Sequence, residues 1–176
     1  MRISTRVRYA LRLMLDIARH ASPDNEPVQL SQVAERNKLS KGYLEQLAVS
    51  LKNARLIRSS SGRTGGYKLA KPACHISLLD IFEASAGPIN VVECVMHPDE
   101  CMQVEFCKCR SLWQLINLKI IDVLADYTLE DLLDERGLKR MSRELRQLND
   151  AQVRRADRRL RIDHAEMPDR RGAAKR

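Results

Sequence analysis

Four cysteines, Cys94, Cys101, Cys107 and Cys109, fall within one short stretch in the spacing C-x6-C-x5-C-x-C, and the whole chain of 176 residues holds only five. Cysteines gathered this tightly in one loop hold a metal or pair as disulfides. The fifth, Cys74, stands apart behind Pro72 and is expected to be a small buried apolar residue. The histidines, His20, His75, His97 and His164, are scattered, and His97 is expected to be solvated within its loop. No nucleophile–base pair, phosphate loop or paired-carboxylate pattern accompanies them. The chain is therefore not expected to be an enzyme, and no small-molecule substrate is evident.

The elements that must position this loop differ sharply in charge. Residues 1–71 carry 14 Lys/Arg against 5 Asp/Glu, residues 72–135 carry 3 against 12, and residues 136–176 carry 14 against 6. A basic front and an acidic middle imply that only part of the chain faces a polyanion. Hydrophobic residues make up 44%, which is globular composition, and no apolar run approaches the roughly twenty residues of a membrane span. The arginine-rich start reads as a structural helix rather than a targeting segment, because its apolar residues recur at helical spacing. The expected location is the cytoplasm, where thiols stay reduced and metal binding is favoured over structural disulfides.

The front has the pattern of a winged helix-turn-helix over residues 1–75. Val7, Ala10, Leu11, Met14 and Ala18 mark one amphipathic helix, and the polar stretch Pro23 to Pro27 ends it. A short second helix is expected from Ser31, its cap, to Asn37. A third is expected from Lys41 to Ala54, with Ser40 as its N-cap and Leu44, Leu47, Ala48 and Leu51 as its buried stripe. That leaves Gly42, Glu45, Gln46 and Val49 facing outward, where a recognition helix meets base edges. Glu45 would accept from a cytosine amine and Gln46 would pair with adenine, while Ser40, Lys41 and Tyr43 suit phosphates. Alone, those residues are ordinary solvated positions. The segment behind them decides the reading: two strand-like runs, Leu56–Ser60 and Tyr67–Leu69, flank Ser61-Gly62-Arg63-Thr64-Gly65-Gly66. Gly62 frees the backbone at this hairpin tip and Arg63 would enter a narrow minor groove. The fold class is thus mainly α with a small β-hairpin.

The middle, residues 76–135, is expected to hold the cysteine loop and a dimerisation helix. Ser77 caps a helix to Ala86, ended by Gly87-Pro88. After the loop, residues 111–126 are apolar around nearly the whole circumference, through Leu112, Trp113, Leu115, Ile116, Leu118, Ile120, Ile121, Val123 and Leu124. Such a helix must be covered on all sides. One side would pack on its own chain and another on a second copy, giving a homodimer that reads a roughly palindromic operator in double-stranded DNA. Thr128 and Asp131 open a short capped helix from Leu129 to Asp134.

Arg2-Ile3-Ser4, Arg8-Tyr9-Ala10, Met14-Leu15-Asp16, Tyr43-Leu44-Glu45-Gln46-Leu47, Gly65-Gly66-Tyr67 and the cysteine loop ahead of Leu112-Trp113 together resemble the Rrf-two family of bacterial regulators, over roughly residues 1–135. The resemblance implies a dimeric winged-helix repressor or activator with a long helix crossing between subunits. It adds Arg2, Ser4, Arg8 and Arg58 to the candidate DNA contacts. It also implies an iron–sulfur cluster on Cys94, Cys101 and Cys107. The cluster regulators of the family place a histidine three residues after the third cysteine. Here that position is Arg110, which cannot ligate, and the neighbouring Cys109 is the natural fourth thiolate. Nitric-oxide-sensing relatives use an N-terminal carboxylate, and the matching position is Arg8. The first cysteine gap is one residue longer than in the cluster regulators, and Gly42 replaces a serine of their recognition helix. A 2Fe–2S cluster is the expectation and 4Fe–4S the alternative.

Two rivals remain for the loop. Structural zinc prefers paired C-x2–4-C spacings, which this pattern fits poorly. A thiol switch needs electropositive neighbours, whereas Glu93, Asp99, Glu100 and Glu105 surround these cysteines, partly offset by Lys108 and Arg110. Residues 136–176 form a basic tail. Leu138, Met141, Leu145 and Leu148 predict one more amphipathic helix, with disorder from Arg154 onward and an unspecific attraction to DNA phosphates or no role at all.

Overall fold

The first helix, α1 (Thr5–Arg19), starts where the Ser4 side chain accepts a hydrogen bond from the Val7 amide at 3.3 Å. The computed structural model describes residues 3–20, 26–62, 65–101 and 106–165. The loop predicted at 23–27 therefore lies mostly outside the described residues, as do Arg2 and Arg63. α1 buries Val7, Ala10, Leu13, Met14 and Ile17. α2 (Leu30–Asn37) begins one residue before the predicted Ser31 cap, with Gln29 in the cap position. Its end is set by Lys38, which takes a left-handed conformation at φ 53°. α3 (Lys41–Asn53) is capped as predicted: Ser40 Oγ accepts from the Tyr43 amide at 3.3 Å.

β1 (Ile57–Ser60) and β2 (Gly66–Leu69) form an antiparallel hairpin in the register Ile57 to Leu69 and Ser60 to Gly66. Val28, just before α2, adds a bridge to Tyr67. The amides of Val28 and Tyr67 each donate to the other's carbonyl, at 2.8 and 2.9 Å, which ties the hairpin to the helix-turn-helix. A single 3-10 turn over Ala73–His75 comes next. Cys74 is exposed there, against the expectation of burial. The apolar position this turn delivers to the core is Ile76, so the cysteine side chain is left outside.

α4 (Leu78–Ala86) starts with a complete capping box, in which Ser77 Oγ accepts from the Asp80 amide and Asp80 accepts from the Ser77 amide. It packs against α1, α3 and the later helix α6, so the segments separated at 75/76 by charge and motif share one core. A four-residue helix, α5 (Glu93–Met96), and a 3-10 turn (Pro98–Glu100) occupy the cysteine loop. α6 (Arg110–Asp126) is the predicted long helix. Its exit pairs with the entry to α4: the Leu78 amide donates to Tyr127 and the Leu129 amide to Ile76, both at 2.8 Å. Thr128 and Asp131 bond reciprocally as predicted, but around a 3-10 turn, Glu130–Leu132, rather than an α-helix.

Residues 1–134 are one compact unit and residues 135–176 are another. The second contains α7 (Glu135–Ala165), which continues past Arg154 where irregular chain is expected. No Gly or Pro interrupts that stretch, and arginine is a good helix former. Among the described residues no helix is long and apolar enough to cross a membrane.

One polar contact inside the core orients the helix-turn-helix. Asp16 of α1 is buried and accepts from Arg36 and Asn37 of α2, the latter at 2.7 Å. Burial alone would raise its pKa, but hydrogen bonds from Arg36 and Asn37 and the charges of Arg36 and His20 outweigh this and hold the carboxyl below its usual value. A lowered carboxylate pKa stabilises the fold above the unfolded value of about 4, and the contribution fades as pH falls through the folded value. Asp16→Asn should cost about 2 kcal/mol at pH 7, the worth of a charged hydrogen bond to a partly exposed arginine. Urea unfolding at pH 7 and pH 3 checks this; the gap between variant and native chain should shrink at the lower pH.

Candidate functional site

The outward face of α3 is composed as the periodicity predicts. Lys41, Gly42, Glu45, Gln46 and Val49 are exposed, while Leu44, Leu47 and Leu51 are fully buried against the rest of the core. Lys41 and Glu45 pair across one turn at 3.6 Å, a surface contact easily exchanged for another partner. Tyr43 stands at the edge of this face, held by a T-shaped contact with Tyr9 of α1 at 5.9 Å between centroids. Arg12 lies over the Tyr9 ring at 5.6 Å, which fixes the α1 side of the pair.

The hairpin places its turn beside the N-terminus of α3. Between them lies a polar cleft of about 410 Å³ whose lining includes Gln29, Ser31, Lys41, Glu45, Ser61 and Gly62. Lys41, Glu45 and Gly62 were candidate contacts from sequence; Gln29, Ser31 and Ser61 were not. Their signal was the Gln29-Leu30-Ser31 start of α2 and the serine run before Gly62, which look like plain helix-start and turn chemistry when read one at a time. Gly62 has φ 115°, which favours glycine, and the adjacent Arg63 lies outside the described residues. Arg58 is exposed on β1. Ser4 is exposed but its oxygen caps α1, and Arg8 is exposed with its guanidinium bonded to Thr5 at 3.2 Å. Arg2 lies outside the described residues.

Sequence reasoning also missed Arg6. Its Nε donates to the Ser85 carbonyl of α4 at 2.5 Å and its terminal nitrogen to Ser50 Oγ of α3 at 2.7 Å. It thereby joins α1, α3 and α4, and its arginine type alone gave no sign of this role. Gly66 is constrained differently: a Cβ there would collide with the Val28 carbonyl where the hairpin crosses the entry to α2.

The second cluster of candidate residues is the cysteine loop. Its entry is fixed to α6 by buried Asn117, whose side-chain oxygen accepts from the Val91 amide at 3.0 Å. Cys94 sits on α5, half-buried; Cys101 and Cys107 are half-buried; Cys109 is exposed immediately before α6. All four thiols are free. Residues 102–105, and with them Glu105, lie outside the described residues. Among the described residues no three His, Cys, Asp or Glu side chains converge on one point, so the predicted ligands are close in sequence without being assembled. The donor chemistry nevertheless suits an iron–sulfur group: four unbridged soft sulfur ligands lie in one loop that ends at Arg110, whose buried Nε has no hydrogen-bond partner among the described residues. An N–H of that kind is the sort of donor that sulfur atoms of such a centre accept from.

α6 leaves a broad apolar surface. Leu112, Leu115, Leu118 and Val123 are all more than half exposed, and Asn117 is the helix's one buried residue. Beside it, between α1, α4 and α6, is a cavity of about 780 Å³ lined mainly by apolar side chains including Val7, Phe82, Ile116 and Ile120.

Comparison with known proteins agrees with this arrangement. Residues 3–135 match the Rrf2 family, described as iron-dependent transcriptional regulators. An HTH-type transcriptional regulator of Haemophilus influenzae is 36% identical over 81% of this chain and 93% of its own. CymR of Bacillus subtilis is 39% identical over 75% of this chain and 89% of its own. The solved structure of that protein, described as the global cysteine regulator, superposes with a TM-score of 0.62, covering 75% of this chain and 95% of that one. IscR of T. potens superposes with a TM-score of 0.61 at 33% identity, covering 76% and 86%.

Two glycines separate packing from backbone freedom. Gly66→Ala should lower stability by about 1–3 kcal/mol because the wing must shift away from Val28. Gly42→Ala, with nothing within 4 Å of the added carbon, should instead raise stability by about 0.5–1 kcal/mol through helix propensity. Thermal unfolding of both variants reads the opposite signs.

Proposed function

Because the chain belongs to the Rrf2 family of transcriptional regulators, we propose that it acts as a dimer whose binding to a roughly palindromic duplex is set by an iron–sulfur cluster in the cysteine loop. The observation that carries this reading is the set of four free thiols lying directly before α6, in a loop whose entry is hydrogen-bonded to that helix through Asn117. α6 is the helix whose apolar face one chain leaves uncovered, so a second copy seated there would share the loop's order with the dimer interface. Cys94, Cys101, Cys107 and Cys109 would hold the cluster. Bound, it supplies responsiveness to iron–sulfur supply, oxidants or nitric oxide. The chain's own residues do the rest: Glu45 and Gln46 read bases, with Gly42 allowing close approach. Ser40, Lys41, Tyr43 and Arg58 meet phosphates, and Gly62 and Arg63 enter the minor groove, with Arg2, Ser4 and Arg8 beside the same backbone. A change of order in the loop shifts α6, and through the dimer the separation of the two α3 helices.

A second reading keeps the DNA reader but removes the cluster. The unassembled thiols and the similarity to CymR, a cysteine regulator, favour it. Control would then pass through the thiols themselves, zinc or a partner protein.

Anaerobic purification with iron, sulfide and zinc analysis separates the two. Native chain should be brown, with iron and sulfide in about stoichiometric amounts, and Cys101→Ala should lose both while circular dichroism shows the helix-turn-helix still folded. A colourless native chain after reconstitution rejects the cluster. Glu45→Ala with Gln46→Ala should weaken operator binding at least about tenfold with little effect on binding to random duplex, as expected for base readers. Equal loss on both duplexes removes them from base reading.

A further inference from the structure

α7 opens the second basic stretch of the chain, separated from the basic front by the acidic middle. Residues 1–135 hold 17 Lys/Arg and 17 Asp/Glu, so they are neutral overall, and the whole net charge of +8 resides in residues 136–176. The family match ends at residue 135, and relatives already covered over 89–93% of their length leave little to correspond to residues 136–176. At roughly 100° per residue, Arg136, Arg140, Arg143 and Arg154 fall within about 60° of one another on α7, with Asp150 an acidic residue on the same side. Leu138, Met141, Leu145 and Leu148 occupy the opposite side. The four arginines are exposed, as are Lys139 and Arg146 along the same edge. Lys139 pairs with Glu135 at 3.0 Å, an exposed contact that a phosphate readily replaces. With 31 residues at about 1.5 Å each, α7 is about 46 Å long.

We propose that the arginine face of α7 is a second, sequence-independent DNA-binding surface that holds duplex phosphates outside the sites read by α3 and the hairpin. A duplex presents one charge per roughly 1.7 Å of axis, so a long row of cations on one helix face meets phosphates in any register and reads no base. An anionic membrane is the other large polyanion. It is disfavoured because residues 135–165 contain no Phe, Tyr or Trp to seat the helix in the interface. This inference rests on the DNA-binding reading above, and it assigns to the extension a share of the electrostatic attraction separate from that of the basic front, residues 1–71.

The test uses full-length protein and a random-sequence duplex, with fluorescence anisotropy across a salt series. One variant changes Arg136, Arg140, Arg143, Arg146 and Arg154 to Gln, and a second changes the same five to Lys. Glutamine is a good helix former, and circular dichroism checks that α7 persists. Each lost phosphate contact removes about 0.9 from the slope of log K against log salt. The glutamine variant should therefore lose about 2–4 from the slope and about tenfold or more in affinity at moderate salt, while the lysine variant keeps both. A glutamine variant that stays helical and keeps the native slope overturns the proposal while leaving the DNA reader intact. Native chain without affinity for any duplex overturns both. Loss of binding to phosphatidylglycerol vesicles with the duplex slope unchanged overturns it in favour of a membrane. A lysine variant that fails like the glutamine one shows that charge is not the cause.

Discussion

α6 has more apolar surface than one chain covers. Its leucines and isoleucines run around the whole helix, yet among the described residues it packs chiefly on α4 and the short α5. Leu112, Leu115, Leu118 and Val123 are left facing water, each at a cost of roughly 25 cal/mol per Å² of apolar surface. Removing that surface from water is a strong drive toward a second copy. The same helix receives the cysteine loop at its start and, at its end, the strand-like contact that closes the core against α4. Any change in how α6 is covered is therefore felt both by the loop and by the base of the DNA reader.

The route from α6 to α3 is short and made of side chains with one geometry available. α4 lies between them, and Arg6 ties α4 to both α1 and α3 through two hydrogen bonds. The Asp16–Arg36–Asn37 cluster then fixes α2 on α1, and the Val28–Tyr67 bridge fixes the hairpin on α2. These hydrogen bonds join α4, α1, α3, α2 and the hairpin directly, beside the cavity between α1, α4 and α6. The polar cleft between α3 and the hairpin is thus lined by elements tied to that frame, with Leu30 buried and Ser31, Lys41, Glu45, Ser61 and Gly62 exposed.

Much of this was legible in the residues. The buried stripe Leu44, Leu47, Ala48, Leu51 and the caps Ser40 and Ser77 derive from helical spacing and local hydrogen bonding, which need no knowledge of the rest of the chain. The hairpin was legible for the same reason, since Gly62, Gly65 and Gly66 mark a turn wherever they occur between strand-like runs. What could not be read were the relations between elements distant in sequence. Arg6 reaching Ser85, Gln29 sharing a cleft with Glu45, and Asn117 accepting from Val91 depend on how elements pack, and each side chain taken alone is an ordinary surface type. Cys74 is exposed despite its apolar type because the 3-10 turn Ala73–His75 buries none of its residues and the position after it, Ile76, enters the core. The few apolar residues beyond Arg154 predict irregular chain, yet helix propensity with no Gly or Pro in that stretch suffices to continue α7.

The unassembled cysteines have a physical reading of their own. A loop whose sequence also carries Glu93, Asp99 and Glu100 has no internal reason to bring several thiolates to one point, because like charges repel and no hydrogen bonds among the described residues hold Cys94, Cys101, Cys107 and Cys109 together. Ligand sets of this kind are gathered by the metal centre, whose binding free energy is at the same time the folding free energy of the loop. α5 and the turn at Pro98–Glu100 are each a single short turn, so reordering them costs little, whereas Cys109 and Arg110 are set at the start of a 17-residue helix and move only with it. A ligand set that joins the soft half of the loop to the rigid start of α6 would convert occupancy of the loop into position of the helix. The buried Nε of Arg110, without a hydrogen-bond partner among the described residues, lies at the start of that helix.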